Sequence, residues 1–221
     1  MADVLSRLAG SIEADAVTFI KGRGIGFALI GLSLFVSSLM YCGHDARLDV
    51  RVLRSWHKVL SRKPWVTLFR WMWPLGTAPV GVVWLLLLSV YNLRLGLITS
   101  AVLGVAMIVE TAIKRIYRRP RPFETLTDVH LLQPSLPRDP SFPSGDALRI
   151  WFLALVVPIV VDLGNPLLLA MIALITSVAA TLVSLGRLAL GVHYPSDVIA
   201  GAGLGFIATG AVIFFLTLQP G

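Results

Sequence analysis

The sequence predicts an all-α polytopic membrane protein, with six transmembrane helices plus one interfacial amphipathic helix. Three observations carry that expectation. Hydrophobic residues make up 56% of the 221 residues and charged residues only 14%, against roughly 25% charged in soluble domains, and the mean hydropathy is +0.81. Six apolar segments approach the roughly 20 residues of helix that cross a hydrocarbon core of about 30 Å. The basic residues cluster beside those segments, and one cluster has the periodicity of a surface helix.

Taken in order, residues 1–20 include Glu13 and Asp15 and lack an apolar stretch ending in a small-residue cleavage site, so no cleavable signal peptide is expected. The first span is predicted over 24–42. In the connection DVRVLRSWHKVLSRKPWVTLFRWMW, Val50, Leu53, Trp56, Val59 and Leu60 recur at helical spacing. Arg51, Arg54, Lys58, Arg62 and Lys63 fill the positions between, which predicts an interfacial helix over about 46–62, facing anionic headgroups. Trp65, Trp71 and Trp73 fit an interfacial aromatic belt. The second span, 75–91, is interrupted by Pro79 and glycines and the third covers 95–113. The loop 118–146 carries six prolines, at 120, 122, 134, 137, 140 and 143, which preclude a continuous helix; connections this long are uncommon without a function. The remaining spans are placed at 147–163, 166–185 and 198–217. The whole chain, 1–221, is read as one membrane-embedded domain.

The net charge of +7 could suggest nucleic acid, but the basic clusters contain no recognisable binding module, so no nucleic-acid partner is expected. Cys42 is the single cysteine and permits neither an internal disulfide nor a cysteine metal cluster. GRGIG (22–26) and GAGLG (201–205) resemble dinucleotide loops, but neither follows a strand; close helix packing through small residues is the expectation for the second. His44, His57 and His130 show no partner spacing and are assigned no role.

Alternation of six spans brings the end of the third, the start of the fourth, the end of the fifth and the start of the sixth to one membrane face. That face collects Lys114, Arg121, Arg187, a Ser144–Gly145 turn at a helix start, His193, and the carboxylates Asp146 and Asp197. Guanidinium forks and helix N-terminal N–H groups both favour phosphate oxygens. His193 and Asp197 lie four apart around Pro195, a spacing that lets the carboxylate fix the imidazole tautomer. An oriented neutral imidazole beside a held phosphate can attack phosphorus, or it can activate water; the spacing leaves both open. Glu110, one turn before Lys114, is expected to be its i,i+4 partner.

Three motifs in order, KRIYRRPRP (Lys114, Arg121, Pro122), FPSGD (Pro143, Ser144, Gly145) and GRLALGVHYPSD (Arg187, His193, Asp197), resemble those of the type 2 phosphatidic acid phosphatase superfamily. Its membrane members are six-helix lipid phosphate phosphatases, related to bacterial acid phosphatases and vanadium haloperoxidases. The resemblance implies a metal-independent, cofactor-free phosphohistidine mechanism. His193 would be the nucleophile oriented by Asp197, and Lys114, Arg121, Ser144, Gly145 and Arg187 would hold the phosphate. Two positions depart from the pattern. Gly186 replaces the usual serine before Arg187, and Asp146 replaces the histidine that would protonate the leaving group. Nearby cations favour the charged form of Asp146, which makes it a poor acid. A diphosphate, whose leaving group is already a stable anion, is therefore the expected substrate class, for example a polyprenyl diphosphate.

Setting aside three presumed ligands, 12 Lys and Arg fall on the motif face and four on the terminal face. The positive-inside rule would place the motifs in the cytoplasm, whereas many bacterial members of the family face the periplasm. The outward orientation in a bacterial inner membrane is taken as the expectation. Two other functions share the scaffold: a lipid phosphotransferase, and a catalytically silent phospholipid-binding or transport protein.

Overall fold

The computed structural model describes residues 2–43, 46–160 and 165–217. His44 and positions 161–163 of the fourth predicted span lie outside them. Regular structure among the described residues is entirely helical. The long helices follow from runs that combine high apolarity with an absence of proline, since backbone groups in a bilayer must be satisfied within their own segment.

Helix α1 (Ala2–Gly43) contains the first span, Gly22–Cys42. Helix α2 (Ala46–Leu60) lies against α1 and two later helices, and α3 (Lys63–Met72) follows it, ending in a 3-10 turn, Trp73–Gly76. Then come α4 (Ala78–Tyr91), α5 (Leu93–Tyr117), the short α6 (Pro122–Thr125), α7 (Gly145–Val160), α8 (Pro166–Ala189) and α9 (Pro195–Thr217). The chain is an integral membrane protein.

Six full spans are not confirmed among the described residues. Four helices among the described residues are long and apolar enough to cross a membrane: Gly22–Cys42, the segment Leu93–Thr125 containing α5, Leu167–Ala189 and Pro195–Thr217. The second predicted span is a bent pair, Lys63–Gly76 and Ala78–Tyr91, meeting at 52°. Pro74, the extended Thr77 and Pro79 interrupt the helix there. The 14 residues of α4 rise only about 21 Å, so that region crosses only if α3 contributes. The 16 described residues of α7 rise about 24 Å, also short of a full crossing.

Helix α9 is the central element, and its glycines face two different neighbours. A Cβ on Gly203 or Gly210 would lie 2.7 or 2.5 Å from the carbonyl oxygens of Gly31 and Gly24 on α1, and one on Gly201 would collide with that of Ser144. The GAGLG stretch is thus a packing surface, as expected, and it packs on both sides. Leu148, Phe152 and Val156 of α7 fill the space between α9, through Leu204 and Val212, and α5, through Leu103.

Helix α2 turns part of its apolar set inward, together with two polar residues outside that set. Asp49, Leu53, His57 and Leu60 are buried, while Trp56 and Val59 are exposed. The lone acid of this basic helix therefore points inward.

Candidate active site

The first motif ends α5. Arg118 adopts φ 43°, its N–H bonding to the Lys114 carbonyl, a left-handed cap that stops the helix before Pro120. Arg121 precedes Pro122, the first residue of α6, and donates its backbone N–H to Glu124 Oε2 at 2.7 Å. The proline-rich loop then folds back: Ser141 N–H donates to the Arg119 carbonyl at 2.8 Å and Leu132 N–H to the Leu190 carbonyl at 3.1 Å. Ser144 N–H donates to the Asp197 carbonyl at 2.9 Å, which joins the second motif to the third. Before His193, Gly191 turns the chain at φ 75°, and a side chain there would run into the His130 carbonyl.

A cavity of about 350 Å³ opens among Lys114, Arg121, Asp139, Gly145, Asp146 and His193, with Glu110 and Arg149 also on its wall. Five of the eight motif residues singled out from the sequence border it. A Cβ on Gly145 would lie 2.6 Å from Glu110 Oε1, so the glycine leaves the room that the acid occupies. Lys114 pairs with Glu110 at 2.6 Å, the i,i+4 contact expected.

The imidazole of His193 has two different ends. Nδ1 faces Ser141 Oγ at 3.3 Å and Asp197 Oδ2 at 3.5 Å. Nε2 accepts from Arg121 Nη1 at 3.3 Å. With acceptors at one end and a guanidinium at the other, the proton belongs on Nδ1 and the lone pair on Nε2. Burial first, and then the Arg121 charge, bring the His193 pKa down to about 4, against the upward pull of Asp197.

Asp197 is fully buried and saturated with donors. It accepts from Tyr194 N–H at 2.8 Å, Ser141 Oγ at 2.5 Å and Arg119 Nη1 at 2.6 Å. Being third in α9, it caps that helix's own start, the acidic half of a capping box.

The remaining motif residues are placed differently. Ser144 is buried and caps α7, its Oγ accepting from Ala147 N–H at 3.4 Å. Arg187 is buried outside the cavity wall, with Nη1 on Asp146 Oδ2 at 2.9 Å and on Gln133 Oε1 at 3.2 Å, and Nη2 on the Trp73 carbonyl at 2.9 Å. Its Nε is buried with no hydrogen-bond partner among the described residues. Asp146 is gripped from both sides, by Arg187 on Oδ2 and by Arg149 Nη2 on Oδ1 at 2.6 Å.

Five residues escaped the sequence reading. Asp139, on the proline-rich loop, bridges Lys114 Nζ and Arg121 Nη2, the latter at 2.8 Å. Burial opposes its charge, but the Lys114 hydrogen bond and the two cations outweigh that and bring its pKa to about 2. No spacing rule pointed to it, because its place depends on the path of the loop. Ser141 was equally silent. Arg149 could have been found as a charge one turn into an apolar helix, Arg119 as a second arginine beside Arg121, and Asp49 as the only acid in α2.

With the geometry in place, comparison with known proteins is informative. The family model of the PAP2 superfamily matches residues 95–219. The chain belongs to that superfamily. Two solved structures are similar to it: a PAP2-type phosphatidylglycerolphosphate phosphatase from Bacillus subtilis, with a TM-score of 0.62 and 24% identity over 85% of this chain and 94% of that one, and LpxE from Aquifex aeolicus, with a TM-score of 0.63 and 26% identity over 77% and 94%. Among curated proteins, undecaprenyl-diphosphatase of Sulfolobus acidocaldarius is 33% identical over 61% of this chain and 59% of its own length. Decaprenylphosphoryl-5-phosphoribose phosphatase of Mycobacterium tuberculosis is 34% identical over 53% and 58%. The matches thus span rather more than half the length of these curated relatives.

Proposed function

We propose that this PAP2 protein is a membrane phosphatase that hydrolyses lipid phosphates through a phosphohistidine, without a metal or other cofactor, and prefers a lipid diphosphate such as a polyprenyl diphosphate. The observation that carries the reading is the polarity of His193. One nitrogen is tied to Asp197 and Ser141, and the other is directed at the Arg121 side of a cavity lined by Lys114.

In this reading the Nε2 lone pair attacks phosphorus while the bond to the leaving-group oxygen breaks. Asp197 stabilises the imidazolium character that develops. Lys114 and Arg121 meet the charge spread over the equatorial oxygens, and Arg187, buried outside the cavity wall, joins them only if its guanidinium is re-aimed from Asp146 towards the cavity. Gly145 stands at the first turn of α7, where N–H groups lack intrahelical acceptors. Ser144 joins only if its hydroxyl leaves the long cap to Ala147. Water then attacks the phosphoryl group, the P–N bond breaks, and inorganic phosphate leaves.

The preference for a diphosphate rests on Asp146. Both of its oxygens are engaged by guanidinium groups, which leaves it poorly placed to carry a proton to an alkoxide. A lipid monophosphate departs as an anion without that help, its second pKa being about 6. The curated relatives' names include both a diphosphatase and a phosphatase of a sugar phosphate, so substrate comparison decides. Purified full-length protein in chelator should release phosphate from polyprenyl diphosphate faster than from polyprenyl phosphate or phosphatidate, and His193→Ala should abolish release while leaving lipid binding intact. Faster monoester turnover would defeat the preference. Loss of activity in chelator would defeat metal independence. Label transfer to an added lipid hydroxyl in place of water would instead mark a phosphotransferase.

A further inference from the structure

Behind the His193–Asp197 pair lies a second, buried layer of charge that the reaction described above does not use. Arg119 is largely but not fully buried, its side chain 11% exposed, and divides its guanidinium between two carboxylates. Nη1 donates to Asp197 Oδ1 at 2.6 Å and to Ser196 Oγ at 2.7 Å, and Nη2 donates to Asp49 Oδ2 at 2.6 Å. Its plane lies over the Tyr194 ring, 3.9 Å from the centroid. Asp49, also buried, reaches across from α2 to the start of α9. It accepts from Ser196 N–H at 3.0 Å and from Ser196 Oγ at 2.5 Å.

We propose that Arg119 and Asp49 are positioning residues for the nucleophile, a relay through which the surface helix α2 fixes the orientation and charge of Asp197 and hence of His193. The relay rests on the reading of His193 as the attacking group. A buried carboxylate must be matched by donors, and breaking one member of a buried charge pair leaves the other uncompensated. Here Asp197 has one oxygen on Arg119 and the other shared by Ser141, Tyr194 N–H and His193. Removing the guanidinium frees the first oxygen, lets the carboxylate rotate, and leaves its full negative charge bearing on the imidazole. Asp49 holds the guanidinium's far side and prevents it from following the carboxylate. Because Asp49 sits on the inner face of a helix whose outer face carries Arg51, Arg54, Lys58 and Trp56, the seating of that helix and the state of the nucleophile are mechanically linked.

The groups facing His193 are Asp197 of α9, Lys114 of α5, Arg121 before α6, Ser141 of the loop and Asp146 of α7. Of these groups the Arg119 guanidinium touches only Asp197, the bond from Ser141 going to the Arg119 backbone carbonyl, which substitution leaves in place, so an Arg119 variant has a specific signature. Arg119→Gln is expected to lower kcat roughly 30-fold with KM within about twofold, as for the loss of a contact that orients a catalytic base. The acid limb of its kcat/KM profile should move upward, towards the ordinary histidine value, since Asp197 then favours the imidazolium more strongly. Arg119→Lys, which keeps the charge without the fork, should recover part of both effects. Asp49→Asn, which preserves shape and the bond from Ser196 N–H, should give the same pattern at smaller amplitude, and serves if the Arg119 variants do not fold. A rise in KM at constant kcat, or an unmoved acid limb in folded variants, would overturn the relay. If the wild-type protein releases phosphate from no lipid substrate, the functional reading fails separately. The relay is then read from the His193 titration followed by NMR of histidine-labelled protein in detergent, where an unchanged midpoint in Asp49→Asn and Arg119→Gln would overturn it.

Discussion

His193 must be neutral at Nε2 to attack phosphorus, and its pKa of about 4 keeps it so throughout the neutral range. The sign follows from the burial. The unfolded chain takes up a proton near 6.5, while the folded site refuses it until about 4, so this group costs stability progressively as pH falls through that window. The acid limb of kcat/KM, which reports the free enzyme, should accordingly lie near pH 4 rather than 6.5; a limb near 6.5 would show that the imidazole is hydrated or paired more strongly than the geometry allows. Asp139 gives a second expectation. It occupies the space between Lys114 and Arg121 to which the proposed function assigns phosphate oxygens, and its side chain is half exposed. Replacing it by asparagine should tighten inhibition by inorganic phosphate roughly tenfold, the scale of one charge-assisted bond discounted for exposure, measured as Ki. Asp146→His should raise monoester turnover relative to diphosphate turnover, measured as the ratio of the two kcat/KM values. At this scale the alternation of spans and the three motifs made it legible that Lys114, Arg121, His193 and Asp197 come together. Asp139 and Ser141 were not legible, because their positions depend on how a proline-rich loop returns to the site.

Among the helices, α9 carries the tightest tolerances. Gly201→Ala would drive a methyl group into the Ser144 carbonyl. Overpacking of this kind costs about 1–3 kcal/mol, and here it also separates the second motif from the third. The variant should lose both thermal stability in detergent and activity. Gly104→Ala on α5 meets nothing within 4 Å and should stay within about 1 kcal/mol of wild type. If the two behave alike, the close approach of α7 and α9 is not what holds the site. The sequence located the apolar helices well, while six full crossings are not confirmed among the described residues. Pro74 and Pro79 announced an interruption, whereas the 52° bend that makes α3 and α4 a broken pair depends on the packing of the 3-10 turn against α7 and α8. Which side of α2 meets the protein was not read from the sequence, for a related reason. A helix with both lipid and protein neighbours has two apolar sides, and periodicity does not say which one is inside.

Across the whole molecule, four helix termini distant in sequence deliver their polar groups to one end of an apolar bundle, and the PAP2 match over residues 95–219 covers all of them. Helices α1 and α2 lie outside that matched region, yet α1 locks α9 through paired glycines and α2 supplies Asp49. The part of the chain before residue 95 therefore packs against the elements that carry the candidate site. The proposed chemistry stands or falls on a covalent bond at one atom. The direct test is to quench the purified protein during turnover of a lipid diphosphate labelled at the terminal phosphorus and to map the label. An alkali-stable, acid-labile phosphoramidate on the peptide containing His193, absent in His193→Ala, is the predicted result; turnover that persists in His193→Ala, with no label on the protein, would contradict it.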